Sequence, residues 1–101
     1  GHIIVRTHPE DDFKGGCPSH GDCLEGLASG PSVEKRYGIK AQSLDPNHKI
    51  WQILSYYIAQ ALVTYSLVLR PEKIILGGGM MKQDHLLEFI KKEFVVLLGN
   101  Y

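Results

Sequence analysis

Residues 16–23 read Gly16-Cys17-Pro18-Ser19-His20-Gly21-Asp22-Cys23. Two residues separate Cys17 from His20, and two separate His20 from Cys23. A turn with that spacing can aim neighbouring side chains at one ion. Thiolate and imidazole are the donors zinc prefers, in four-coordinate tetrahedral geometry. Three donors leave one position, for which His2, His8, Asp11, Asp12 and Asp22 are the local candidates. A set of two cysteines and two histidines neutralises the ion, as a closed structural site requires; a catalytic zinc would need a different fourth ligand. The bland alternative is a pair of thiols beside a solvated imidazole. A redox pair is disfavoured because the spacing is not Cys-x-x-Cys.

The string closes a loop, residues 7–22, that is rich in Pro, Gly, Asp and His and has no apolar period. Loops of this length are uncommon in a compact domain unless function or a staple holds them. Upstream, residues 2–5 form a short apolar run with β-branched members, which predicts a strand. Downstream, residues 23–28 read as the first turns of a helix with Asp22 as N-cap, broken by Gly30-Pro31. Residues 32–37 read as a helical segment capped by Ser32 and ended by Gly38, and residues 41–44 as a short helical turn. Asp45 or Asn47 caps a long helix that runs to about Leu69 and stops at Pro71. Residues 73–76 predict a second strand, followed directly by Gly77-Gly78-Gly79. An amphipathic helix covers residues 83–98, with apolar Leu86, Leu87, Ile90, Phe94 and Leu97, and Gly99 closes it. The class is α/β. Two strands cannot make an independent sheet, so they must pair with strands elsewhere or with another copy.

At 101 residues the chain suits one domain or part of a larger one. It opens on Gly-His-Ile-Ile-Val, which resembles the inside of a strand rather than a signal peptide, so a truncated piece is expected. Eleven basic residues balance eleven acidic ones, which gives no support to nucleic-acid or anionic-membrane binding. A 44% hydrophobic content argues against disorder as the main state. Residues 50–69 carry no charge and could span a bilayer by length, but they include Gln52, Ser55, Gln60, Thr64, Ser66 and three tyrosines. A helix buried between protein layers is the expected reading.

Three strings together resemble ROK-family sugar kinases, and best the bacterial fructokinase branch. They are Gly1-His2, then the run from Cys17 through Glu25 to Gly30-Pro31, then Ile74-Ile-Leu-Gly77-Gly78-Gly79-Met80-Met81. The general family pattern is Cys-x-Cys-Gly-x-x-Gly-Cys-x-Glu; Pro18-Ser19-His20 replaces part of it, in the manner of the fructokinase subgroup. The resemblance implies part of an RNase-H-like domain of the actin/hexokinase superfamily, with a zinc-binding loop. Residues 1–101 would be a fragment of the kinase C-terminal domain: strand plus zinc loop in 1–23, helices in 24–70, and strand, glycine turn and helix in 71–101.

It further implies a structural zinc on His2, Cys17, His20 and Cys23. The second nitrogen of His2 would face the sugar, and Glu25 would accept hydrogen bonds from sugar hydroxyls. Glu25 also has a plainer reading, as a carboxylate favoured near a helix N-terminus. ATP would lie against Gly78, Gly79, Met80, Met81 and Lys82, with Pro31 on its other side; taken alone, the three glycines are equally a tight turn. His8, His48 and His85 receive no role and are expected at the surface. The implied parent is a cytoplasmic, homodimeric, ATP- and Mg2+-dependent enzyme that phosphorylates fructose to fructose 6-phosphate, with mannose or glucose left open as the sugar. The family's catalytic Asp base and its Asp-x-Gly phosphate loop are not in this chain. No catalytic residue is therefore assigned, and the chain alone is expected to be inactive. Two other readings stand beside it: a fragment of a sugar-responsive ROK repressor, and a free-standing zinc-binding interaction module.

Overall fold

The computed structural model describes residues 1–101 as a mostly helical unit without strands. Helix α1 is a single turn, Leu24–Leu27; α2 spans Gly30–Tyr37, α3 Ile50–Leu69 and α4 Asp84–Leu98. Short 3-10 turns at Ala41–Ser43 and Gly79–Lys82 lead toward α3 and α4. The core forms where α3 packs along α4 and under α1 and α2. Trp51, Leu54 and Tyr57 of α3 meet Leu27, Val33, Leu86 and Ile90 there.

The helix starts differ from the sequence expectation in an instructive way. Gly30-Pro31 opens α2 instead of breaking a helix. Ser29 is its N-cap, accepting from the Ser32 N–H, while Ser32 Oγ accepts from the Ser29 N–H. Proline in a first helical turn loses nothing, because its missing N–H would have had no partner. Asp22 does not cap α1, whose N-cap is Cys23. Neither Asp45 nor Asn47 caps α3; instead the His48 ring nitrogen Nδ1 accepts from the Ile50 N–H at 3.0 Å. At the other ends, Gly38 takes the left-handed conformation (φ 70°) after α2, and α3 ends at Leu69 before Pro71.

The two expected strands are not formed. Residues 2–5 contribute one isolated antiparallel bridge, Ile4 to Cys23, and residues 73–76 contribute none. Backbone in an extended run needs a neighbouring strand to take its N–H and C=O groups. The two segments do not pair with each other, and Ile75 stands 85% exposed. At the level of strands, then, the α/β expectation is corrected to a helical architecture.

The three unassigned histidines are not simple surface residues either. His8 packs edge-on against Tyr56, His48 against Tyr37, and His85 against Trp51 at a 4.7 Å ring separation. Helix α3 is long and apolar enough to cross a membrane, with mean hydropathy 1.3, but one face of its first three turns, from Ile50 to Leu62, is buried against the rest of the protein.

Candidate metal centre and adjoining grooves

The backbone of residues 1–3 runs beside the start of α1. Leu24 N–H donates to the Ile3 carbonyl at 2.9 Å, and Glu25 N–H to the Gly1 carbonyl at 3.0 Å. Those bonds set His2 against Cys23. A tight turn then joins Cys17 and Gly21, each donating its N–H to the other's carbonyl, and brings His20 and Cys17 to the same place. The donor atoms of His2, Cys17, His20 and Cys23 lie within 4.8 Å of one another and could hold a metal ion.

The separations can be tested against metal chemistry. His2 Nδ1 lies 3.4 Å from Cys23 Sγ and 3.6 Å from Cys17 Sγ, and His20 Nδ1 lies 3.7 Å from Cys17 Sγ. Zinc–sulfur bonds of about 2.3 Å and zinc–nitrogen bonds of about 2.0 Å at tetrahedral angles give sulfur–nitrogen edges of about 3.5 Å. Three of the six donor separations thus match the edges of a tetrahedral S2N2 site. The His20 backbone N–H, directed at Cys17 Sγ, brings its thiol down to about 6 from the usual 9.0; partial desolvation opposes this, and the Ser19 N–H and the His20 side chain assist. That lowering favours the thiolate, the form that binds metal.

His2 faces two ways. Its Nδ1 points into the cluster, while its Nε2 lies 3.5 Å from Glu25 Oε2. Glu25 lies in the single turn of α1 and reaches the wall of a groove of about 340 Å³ that Cys17, Ser29, Pro31 and Lys35 also line. Pro31 lines a second, larger groove as well. That one, about 630 Å³, runs between the start of α2, the turn at Ala41–Ser43, and Gly79, Met80 and Lys82. So Pro31 meets Gly79, Met80 and Lys82 across one groove. Gly78, with φ 99°, precedes the turn without lining the groove, and Met81 packs against the core.

One constellation was not foreseen in the sequence, which offered Asp11 only as a candidate fourth metal ligand; the structure places it on Arg36 and Tyr57 instead. Arg36 of α2 makes a two-pronged ion pair with Asp11, Nη2 to Oδ2 at 2.7 Å and Nε to Oδ1 at 3.2 Å, both side chains only 4% exposed. Tyr57 of α3 donates its hydroxyl to Asp11 Oδ2 at 2.6 Å and accepts the His8 N–H at 3.1 Å. Arg36 also stacks on the Phe13 ring, 4.4 Å from its centroid. Burial pushes the Asp11 carboxyl up, but the Arg36 and Tyr57 hydrogen bonds and the Arg36 charge outweigh it and hold it below the usual 3.8. Burial and the Asp11 hydrogen bond push the Tyr57 hydroxyl up, so it stays protonated as a donor. The only sequence-level signal was the loop's need for a staple.

Among known proteins, the ROK family model matches residues 1–101. A relative from Bacillus subtilis (strain 168) is 50% identical over 101 residues, covering 100% of this chain and 34% of that protein. The fructokinase of Lactococcus lactis subsp. cremoris is 49% identical over 102 residues, covering 100% of this chain and 35% of that protein. The fructokinase of Streptococcus mutans serotype c (strain ATCC 700610 / UA159) is 44% identical over 104 residues, covering 100% and 36%. The chain spans about a third of the length of these relatives.

Proposed function

The chain belongs to the ROK family along its whole length, and on that footing we propose that it is part of an ATP-dependent fructokinase, transferring phosphate to the 6-hydroxyl of fructose. Its residues would form part of the actin/hexokinase-type C-terminal domain: the metal loop in 1–23, helices in 24–70 and the glycine turn with α4 in 71–101. What carries the reading, beside the relatives' names, is that Pro31 lines both grooves. Phosphoryl transfer requires sugar and nucleotide to meet, and catalysis is mostly their positioning. A sugar held at Glu25 and a nucleotide held along Gly79, Met80 and Lys82, with Gly78 and Met81 shaping the turn that presents them, would meet at Pro31.

In this reading His2, Cys17, His20 and Cys23 hold a structural zinc, and zinc when bound supplies only a rigid link among the donors. With Nδ1 committed to the metal, the His2 ring keeps its N–H on Nε2. That N–H and the Glu25 carboxylate give a donor and an acceptor side by side, matched to sugar hydroxyls. The proton released by the attacking hydroxyl goes to a base outside these residues, and the isolated chain is expected to be inactive. Mg2+ with ATP, a homodimer and a cytoplasmic site belong to the same proposal.

Substituting Glu25→Ala in the full-length protein tests it. The KM for fructose should rise about ten- to hundredfold, as the loss of a hydrogen bond to a charged group implies, with KM for ATP and metal content unchanged. An unaltered fructose KM would contradict the sugar role of Glu25.

A further inference from the structure

The metal donors fix only the far half of the long loop. Cys17, His20 and Cys23 lie at its end, whereas residues 7–16 contain no donor of the cluster. Something else must hold that half, because Phe13 is its only large apolar residue. Asp11 does so. Its carboxylate accepts four hydrogen bonds: Arg36 Nε and the Phe13 N–H on Oδ1, Arg36 Nη2 and the Tyr57 hydroxyl on Oδ2. Tyr57 also takes the His8 N–H, and Asp11 N–H returns to the His8 carbonyl at 3.0 Å.

The hold extends to the donors. Arg36 Nη1 reaches Ser32 Oγ, the reciprocal member of the α2 cap, at 3.1 Å. The neighbouring Lys35 Nζ donates to the Gly16 carbonyl at 3.3 Å, and Gly16 N–H donates to the Gly26 carbonyl at 2.9 Å. Gly16 directly precedes Cys17. Helix α2 thus carries two holds from neighbouring positions, Arg36 on Asp11 in the near half of the loop and Lys35 on the Gly16 carbonyl beside Cys17.

We infer that Asp11, Arg36 and Tyr57 are positioning residues for the metal centre, holding the Cys17 limb of the loop in its binding geometry before the ion arrives. This rests on the proposed metal site. Ordering the loop in advance removes an entropy cost from binding, so breaking these holds weakens metal affinity and does not merely lower stability.

The test uses the full-length protein, cleared of metal and reloaded. Zinc affinity is measured by chelator competition, and the geometry by the visible absorption of the Co(II) form, which reports tetrahedral thiolate ligation. Asp11→Asn should weaken zinc binding about tenfold, the low end of the range lost when a ligand's direct partner is removed, because Asp11 itself touches no donor, and broaden or weaken the Co(II) bands. Tyr57→Phe, which removes one hydroxyl and keeps the ring, should weaken it severalfold and serves if Asp11→Asn does not fold. Folded variants that bind zinc as tightly as wild type, with unchanged Co(II) spectra, would overturn the inference while leaving the metal site intact. A wild-type protein that takes up neither ion would overturn the metal site itself, and this inference with it.

Discussion

Asp11 illustrates how one side chain can govern a loop. A carboxylate with four donors is fully satisfied away from water, and removing any partner leaves a buried charge exposed to its desolvation cost. Its folded pKa lies below the ordinary 3.8, so its contribution to stability is complete above that value and is lost as pH falls through the folded value. The stability difference between the full-length protein and its Asp11→Asn variant should therefore be full at pH 7 and close below about pH 4. Denaturant titrations across that range check it; a difference that persists unchanged at low pH would contradict the ion pair. Gly15 and Gly26 matter at the same scale. A Cβ on either would fall within about 2.0 Å of the Gly21 carbonyl oxygen, so Gly21 fits between the near half of the loop and α1 only because those positions lack one.

Among the elements, α2 separates what a local pattern encodes from what it hides. The Ser29–Ser32 pair encloses a Gly-Pro that reads as a breaker, yet it is the cap that starts the helix. Ser29→Ala should lower stability by about 1 kcal/mol, the usual cost of a lost N-cap, measured by denaturant unfolding of the full-length protein; an unchanged midpoint would argue against the cap. Helices α3 and α4 lie close to where their apolar periods put them, because a helix closes its own hydrogen bonds. Residues 73–76 had strand composition and formed none, because a strand's bonds belong to its neighbour. The donors Cys17, His20 and Cys23 were legible because a turn brings near sequence neighbours together. His2 joined them through a resemblance rather than a spacing. Arg36 and Tyr57 lie 25 and 46 positions from Asp11, and no local period links residues so far apart.

Taken whole, the molecule leaves several large apolar side chains uncovered. Val68, Leu69, Ile75, Val95 and Val96 are exposed around the far ends of α3 and α4, beside a groove of about 550 Å³ lined by Leu62, Ile74, Leu76 and Phe94. Exposed apolar side chains beside an apolar-lined groove are what a contact face offers. With about a third of its relatives' length present, the isolated chain should bind a hydrophobic dye such as ANS and elute larger than a monomer in gel filtration. A monodisperse monomer that leaves the dye dark would contradict that. Elemental analysis of the purified full-length protein bears most directly on the metal loop. The expected result is one zinc per chain, lost on Cys17→Ala and on His2→Ala but kept on Glu25→Ala. Protein free of zinc as isolated and unable to take it up, or zinc retained in both ligand variants, would show that these four side chains do not share an ion.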